Sequence, residues 1–141
     1  MYTPVSSRAA SAYRQVGVQS GIDGASPHML IKMLFDGLVL SLNAARGAMQ
    51  RGEIEEKGRH LGKAVRILEE GLKGGLNPAQ GGEIAANLRA LYDYCIQRLT
   101  MANLRNDISL VEEVVELITP VAQSWDQIGA GSNAASQGGG A

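Results

Sequence analysis

The stretch SPHMLIKMLFDGLVLSLNAARGAMQ, residues 26–50, decides the fold. Ser26 is a good helix N-cap, Pro27 suits the first helical position, and an apolar-periodic run opens at Met29 and lasts to about Gln50. At 100° per residue, His28, Lys32, Asp36, Asn43, Arg46 and Gln50 fall within about 40° of one line. Leu30, Leu34, Leu38, Ala45 and Ala48 oppose that line and are the expected core face. Two flanks remain, and both are apolar: Met29, Met33, Leu40 and Ala44 on one side, Ile31, Phe35, Leu42 and Met49 on the other. A bundle helix needs a little over ~100° of apolar arc, and this one is apolar around most of its circumference.

Downstream, three more helices are predicted. Ile54, Leu61, Val65, Leu68 and Leu72 form a second helical stripe, with Glu53/Lys57 and Glu55/Arg59 as i,i+4 pairs on its outer face, and this run stops near Gly74 and Gly75. Asn77 and Pro78 repeat the cap-plus-proline start, and Ile84, Leu88, Leu91, Cys95, Leu99 and Ala102 mark the third helix. Asn106 or Asp107 caps a fourth, whose stripe is Val111, Val114, Ile118, Val121, Trp125 and Ile128. Pro120 lies inside it, and its missing N–H predicts a kink or break around residues 116–120. Short connections favour antiparallel neighbours, so the expected fold is all-α: an antiparallel up-down four-helix bundle over residues 26–128. Residues 1–25 form an N-terminal arm with room for one short helix, and 129–141, nearly devoid of apolar side chains, a disordered Gly-rich tail.

Composition narrows the function. In 141 residues, 45% are hydrophobic and only six are aromatic, which suits an aliphatic helical core. Thirteen Lys and Arg against 14 Asp and Glu leave a formal charge of -1, too little basic field to hold nucleic acid by its phosphates. Lys32 and Asp36 interrupt the most apolar segment, so no membrane insertion is expected, and no secretory leader follows Arg8; the cytosol is the expected compartment.

Catalytic patterns are missing. A di-metal bundle site needs Glu-x-x-His twice, whereas Ala25 and Lys57 stand three positions before the only histidines, His28 and His60. Both histidines are expected on solvated faces, with no metal and no cofactor bound. Cys95, four residues from Leu91 and from Leu99, reads as a small core hydrophobe rather than a nucleophile. Gly81 and Gly82 read as a linker at a helix start. A non-enzymatic protein is expected.

The apolar surplus of the first helix has two readings, and the sequence leaves both open. Either the helix is central and wholly covered, or its flanks line a groove for a partner, with Met29, Ile31, Met33, Phe35, Leu40 and Leu42 as the candidate contacts. Tyr2, Tyr13 and Val16 of the arm would then cover the groove when empty and move aside for a client.

The segments AYRQVGVQ (residues 12–19), ASPHMLIKMLFDG (25–37) and GGEIAANLRALYDYCIQRLTMAN (81–103), in this order and spacing, resemble the flagellin-specific secretion chaperone family, FliS. The resemblance runs from the arm through Trp125. It implies a cytoplasmic, helical, non-enzymatic chaperone that holds the C-terminal segment of flagellin against premature polymerisation and supports its secretion. It also implies delivery to an export-gate component and contact with flagellar regulators, while self-association of the free protein is left open by the sequence. By position, the family's arm tyrosine is Tyr13, its turn is Ala25, Ser26 and Pro27, and its Leu-Tyr-Asp-Gly motif is Leu34, Phe35, Asp36 and Gly37, with Phe in place of the common Tyr.

Overall fold

A computed structural model describes residues 26–139. The arm, with Tyr2, Tyr13 and Val16, lies outside the described residues. Helix α1 spans Pro27–Gln50. Its start is fixed as the sequence expects: Ser26 is extended and its Oγ accepts the Met29 N–H at 3.1 Å. The face of Leu30, Leu34, Leu38, Ala45 and Ala48 is buried throughout. By length and composition alone α1 could cross a membrane, but its apolar face packs into the bundle core.

Helix α2, Ile54–Arg66, continues without a break into a π-helical segment, Ile67–Lys73. The wider turn keeps Ile67, Leu68 and Leu72 all buried. It also presents Gly71 to α1 so closely that a Cβ there would stand 2.9 Å from Leu34 Cδ2. Helix α3, Pro78–Arg105, starts on Asn77, whose side chain accepts the Ala79 N–H, and ends on Asn106 in the left-handed conformation at φ 54°. Asp107 then accepts the Ser109 N–H at 3.0 Å and opens α4, Ile108–Gly139.

The four helices form an all-α antiparallel bundle. Each of α1 and α3 packs against both α2 and α4, while α1 and α3 sit diagonally and do not meet. Glu113 of α4 accepts from the Tyr94 hydroxyl and from Arg98 Nε at 2.7 Å, tying α3 to α4 on the outside.

Several details depart from expectation. Of the kink or break expected around Pro120, the break does not occur: α4 runs helically through it. Pro120 and Glu116 both face solvent, so water can serve the Glu116 carbonyl that proline leaves without a donor. The backbone of α4 also stays helical to Gly139, past the end at Ile128 read from the sequence, since extending a formed helix is easier than nucleating one. Neither expected ion pair on α2 forms. Glu53 pairs with Arg51, and Arg59 with Glu56. Lys57 instead turns inward, leaving only 6% of its surface exposed. On α3 the inner stripe is Ala85, Tyr92, Cys95, Leu99 and Ala102; Tyr92 takes the place expected for Leu91, and Ile84 points outward.

Candidate functional site

At the end of the bundle that holds the start of α1, the diagonal helices α1 and α3 leave a cleft of about 300 Å³ between them. From α1 come Ile31 and Phe35; from the π-helical segment and the turn after it, Leu72, Gly75, Leu76 and Asn77. Helix α3 gives Gly81, Ile84, Ala85, Leu88 and Tyr92, and α4 gives Val121 and Trp125. The walls are almost entirely apolar.

Two glycines shape the rim. Gly82 has φ 53° and ψ -126°, so the first turn of α3 is set at an angle to the rest of the helix. An L residue is strained there, and glycine is the permissive choice. The bend brings Gly81 against Ala85, where an added Cβ would lie 2.6 Å from the Ala85 Cβ. The far wall is fixed by Trp125, whose indole N–H donates to the His28 carbonyl while its ring stacks on the His28 imidazole. His28 is therefore half-buried against an aromatic ring rather than standing on a solvated face.

Reactive chemistry is suppressed near this site. Burial holds the Tyr92 phenol well above its ordinary value of 10.0, with the neighbouring Cys95 adding to the rise. Burial likewise pushes the Cys95 thiol up to about 12, with a smaller contribution from the Glu113 charge. Among the described residues no three His, Cys, Asp or Glu side chains converge as a metal site would need.

The candidate contacts read from the sequence divide. Ile31 and Phe35 line the cleft together, Phe35 from the floor with 3% of its surface exposed. Met33 is half-buried against the core and outside the cleft. Met29 and Leu40, 45% and 69% exposed, stand on the opposite flank of α1. Leu42, 0% exposed, is core and lines no groove, because its flank turns under α2 and α4 along the later turns of α1. Ile84, Leu88, Tyr92, Val121 and Trp125 were not singled out as contacts. The paired glycines at 74–75 and 81–82 were the available signal, since they interrupt the helices where the bundle opens.

A second cavity of about 300 Å³ sits at the other end of the bundle, where Lys57 and Asn106 meet Met49, Gly52 and Ile54. There the Lys57 ammonium donates to the Asn103 carbonyl at 3.2 Å and to the Asn106 side chain. The first of these satisfies a main-chain carbonyl that the end of α3 leaves without a helical partner, and the second holds the Asn106 side chain beside it.

The fold and the cleft define a class: a helical bundle whose open end suits an apolar segment and whose buried thiol and phenol are held in their unreactive forms. The sequence profile of the family described as Flagellar protein FliS matches residues 9–132. The chain is 51% identical over 117 residues to the flagellar secretion chaperone FliS of Salmonella typhimurium, covering 83% of this chain and 87% of that one. It is 45% identical over 121 residues to flagellar secretion chaperone FliSB of Pseudomonas aeruginosa (86% and 95% covered). With FliS of Bacillus subtilis it shares 33% over 109 residues (77% and 80% covered). The chain belongs to the FliS family, proteins that serve as flagellar secretion chaperones and not as enzymes.

Proposed function

We propose that this chain is a cytoplasmic export chaperone that holds the C-terminal segment of flagellin, prevents its premature polymerisation and supports its secretion during flagellum assembly. The observation that carries the reading is the apolar cleft between the diagonal helices, walled by Ile31, Phe35, Ile84, Leu88 and Trp125. A segment without structure of its own folds as helix against such a surface. The coupled ordering costs about 2 to 5 kcal/mol of the gross interaction, which keeps the complex releasable at an export gate. The arm residues Tyr2, Tyr13 and Val16 cover the cleft in the free protein and give way to the client. An export-gate component and flagellar regulators are further partners.

Calorimetric titration with a synthetic flagellin C-terminal peptide tests this, run on the full chain and on a chain lacking residues 1–17. A stoichiometric complex at micromolar concentration is expected, tighter once the competing arm is gone. Failure of the full chain and of the shortened chain to bind at that concentration overturns the reading.

A further inference from the structure

Among the described residues, three polar side chains border the cleft: Asn77, Tyr92 and Trp125. Two of them are engaged, Asn77 Oδ1 by the Ala79 N–H and Trp125 Nε1 by the His28 carbonyl. Tyr92 differs. Its ring is packed in the core and only 2% of the residue is exposed, yet no hydrogen bond to its hydroxyl is found among the described residues. Among the described residues no enclosed side-chain oxygen or nitrogen lacks a partner, so the hydroxyl is not sealed in the core. Tyr92 borders the cleft, and its hydroxyl, unpaired among the described residues, keeps some accessible surface.

We propose that the Tyr92 hydroxyl is a specificity-determining contact of this cleft, donating a hydrogen bond to a neutral acceptor on the segment held there. The inference rests on the client-binding reading above. A phenol kept protonated acts as donor, and an apolar pocket makes one such donor selective, because an occupant that covers it without an acceptor leaves it unpaired. A carboxylate is the wrong acceptor: among the described residues no Lys or Arg borders the cleft, and an unpaired anion is costly to bring into apolar surroundings. The acceptor is therefore a carbonyl oxygen, either a main-chain one freed at a helix end or the side-chain amide of an Asn or Gln.

Tyr92→Phe removes the hydroxyl and keeps the ring. The hydroxyl has no partner within the described structure, so the variant is expected to unfold at the same urea concentration as the unaltered chain. It should bind the flagellin C-terminal peptide about tenfold more weakly. Peptides with each Asn and Gln changed in turn to Ala separate the two acceptors. A side chain whose removal weakens binding to the unaltered chain but not to Tyr92→Phe is the acceptor, and a tenfold loss in Tyr92→Phe with no such coupling assigns a main-chain carbonyl. Equal affinity of Tyr92→Phe and the unaltered chain overturns the contact while leaving the client reading intact. So does a fall in affinity matched by lost stability. No binding by the unaltered chain or by the chain lacking residues 1–17 overturns the client reading itself, and this contact with it.

Discussion

Trp125 donates its indole N–H to the main-chain carbonyl of His28 at 3.0 Å across 97 residues of sequence, and the two rings stack with centroids 4.6 Å apart and planes 6° from parallel. This clasp joins the first turn of α1 to the far part of α4 and so holds one wall of the cleft at a fixed separation. Trp125→Phe keeps a ring in place and loses the hydrogen bond, so a loss of about 1 kcal/mol in unfolding free energy is expected. Trp125→Ala removes the ring as well and should cost about 3 kcal/mol. Urea unfolding followed by circular dichroism measures both; equal stability of Trp125→Phe and Trp125→Ala would mean that the ring adds nothing.

Lys57 carries a second long-range tie, at the opposite end of the bundle. Its ammonium caps the end of α3 through the Asn103 carbonyl and the Asn106 side chain, and its stem is buried. Lys57→Met preserves the apolar stem but leaves those acceptors without their donor, which predicts a loss of about 1 to 3 kcal/mol. Lys63→Met, at an exposed position on the same helix, should change stability by less than about 0.5 kcal/mol. A parallel pair of urea titrations compares them, and an equal effect at both positions would remove the capping role.

The helix boundaries and the core face of α1 were legible in the sequence because both rest on short-range rules. Ser26 before Pro27, Asn77 before Pro78, and leucines at helical spacing each state their own structure locally. The open end of the bundle was not legible in the same way. It depends on the backbone angle at Gly82 and on the wide π turn before Lys73, and neither has a marker beyond glycine itself. The one-position shift of the α3 stripe, from Leu91 to Tyr92, needs no irregularity: positions 91 and 92 both fall near the face of Cys95 and Leu99, and the packing buries the second. Lys57 escaped for a different reason: its partners lie 46 and 49 residues away, whereas a lysine four residues after Glu53 suggests a surface pair. Of the candidate contacts, Ile31 and Phe35 reached the cleft and Leu42 the core, because the periodicity of one helix cannot say which flank its neighbours cover.

Cys95 gives a prediction with a pH sign. Its thiol is raised from 9.0 in the reference state to about 12 in the folded chain, first by burial and then by the Glu113 charge. A folded-state value above the unfolded one means that the native chain holds its proton longer. The contribution of this group to stability is thus complete below pH 9.0 and is lost as pH rises towards about 12. At pH 8.5 iodoacetamide should leave Cys95 unmodified in the native protein and alkylate it readily in concentrated urea, read by intact mass. Rapid native alkylation at that pH would show an accessible thiolate and contradict the packing.

The two flanks of α1 make opposite predictions for the client. Ile84 and Ile31 border the cleft, Ile84 with 71% of its surface exposed, while Leu40 is nearly as exposed but stands on the other flank. Because Ile84 is accessible in the folded chain, Ile84→Asp should change unfolding free energy by less than about 1 kcal/mol. Once a client covers it, the carboxylate would be taken out of water without a partner, so affinity for the flagellin C-terminal peptide should fall by a factor of ten or more, about 1.4 kcal/mol at least. Ile31→Asp should weaken binding similarly with some loss of stability, since that side chain is already half-buried. Leu40→Asp should leave both quantities nearly unchanged, and Leu42→Asp should fail to fold because it places a charge in the core. Paired calorimetry and urea unfolding on the four variants decide the matter. If Leu40→Asp abolishes binding while Ile84→Asp does not, the client lies on the Met29 and Leu40 flank and the cleft serves something else.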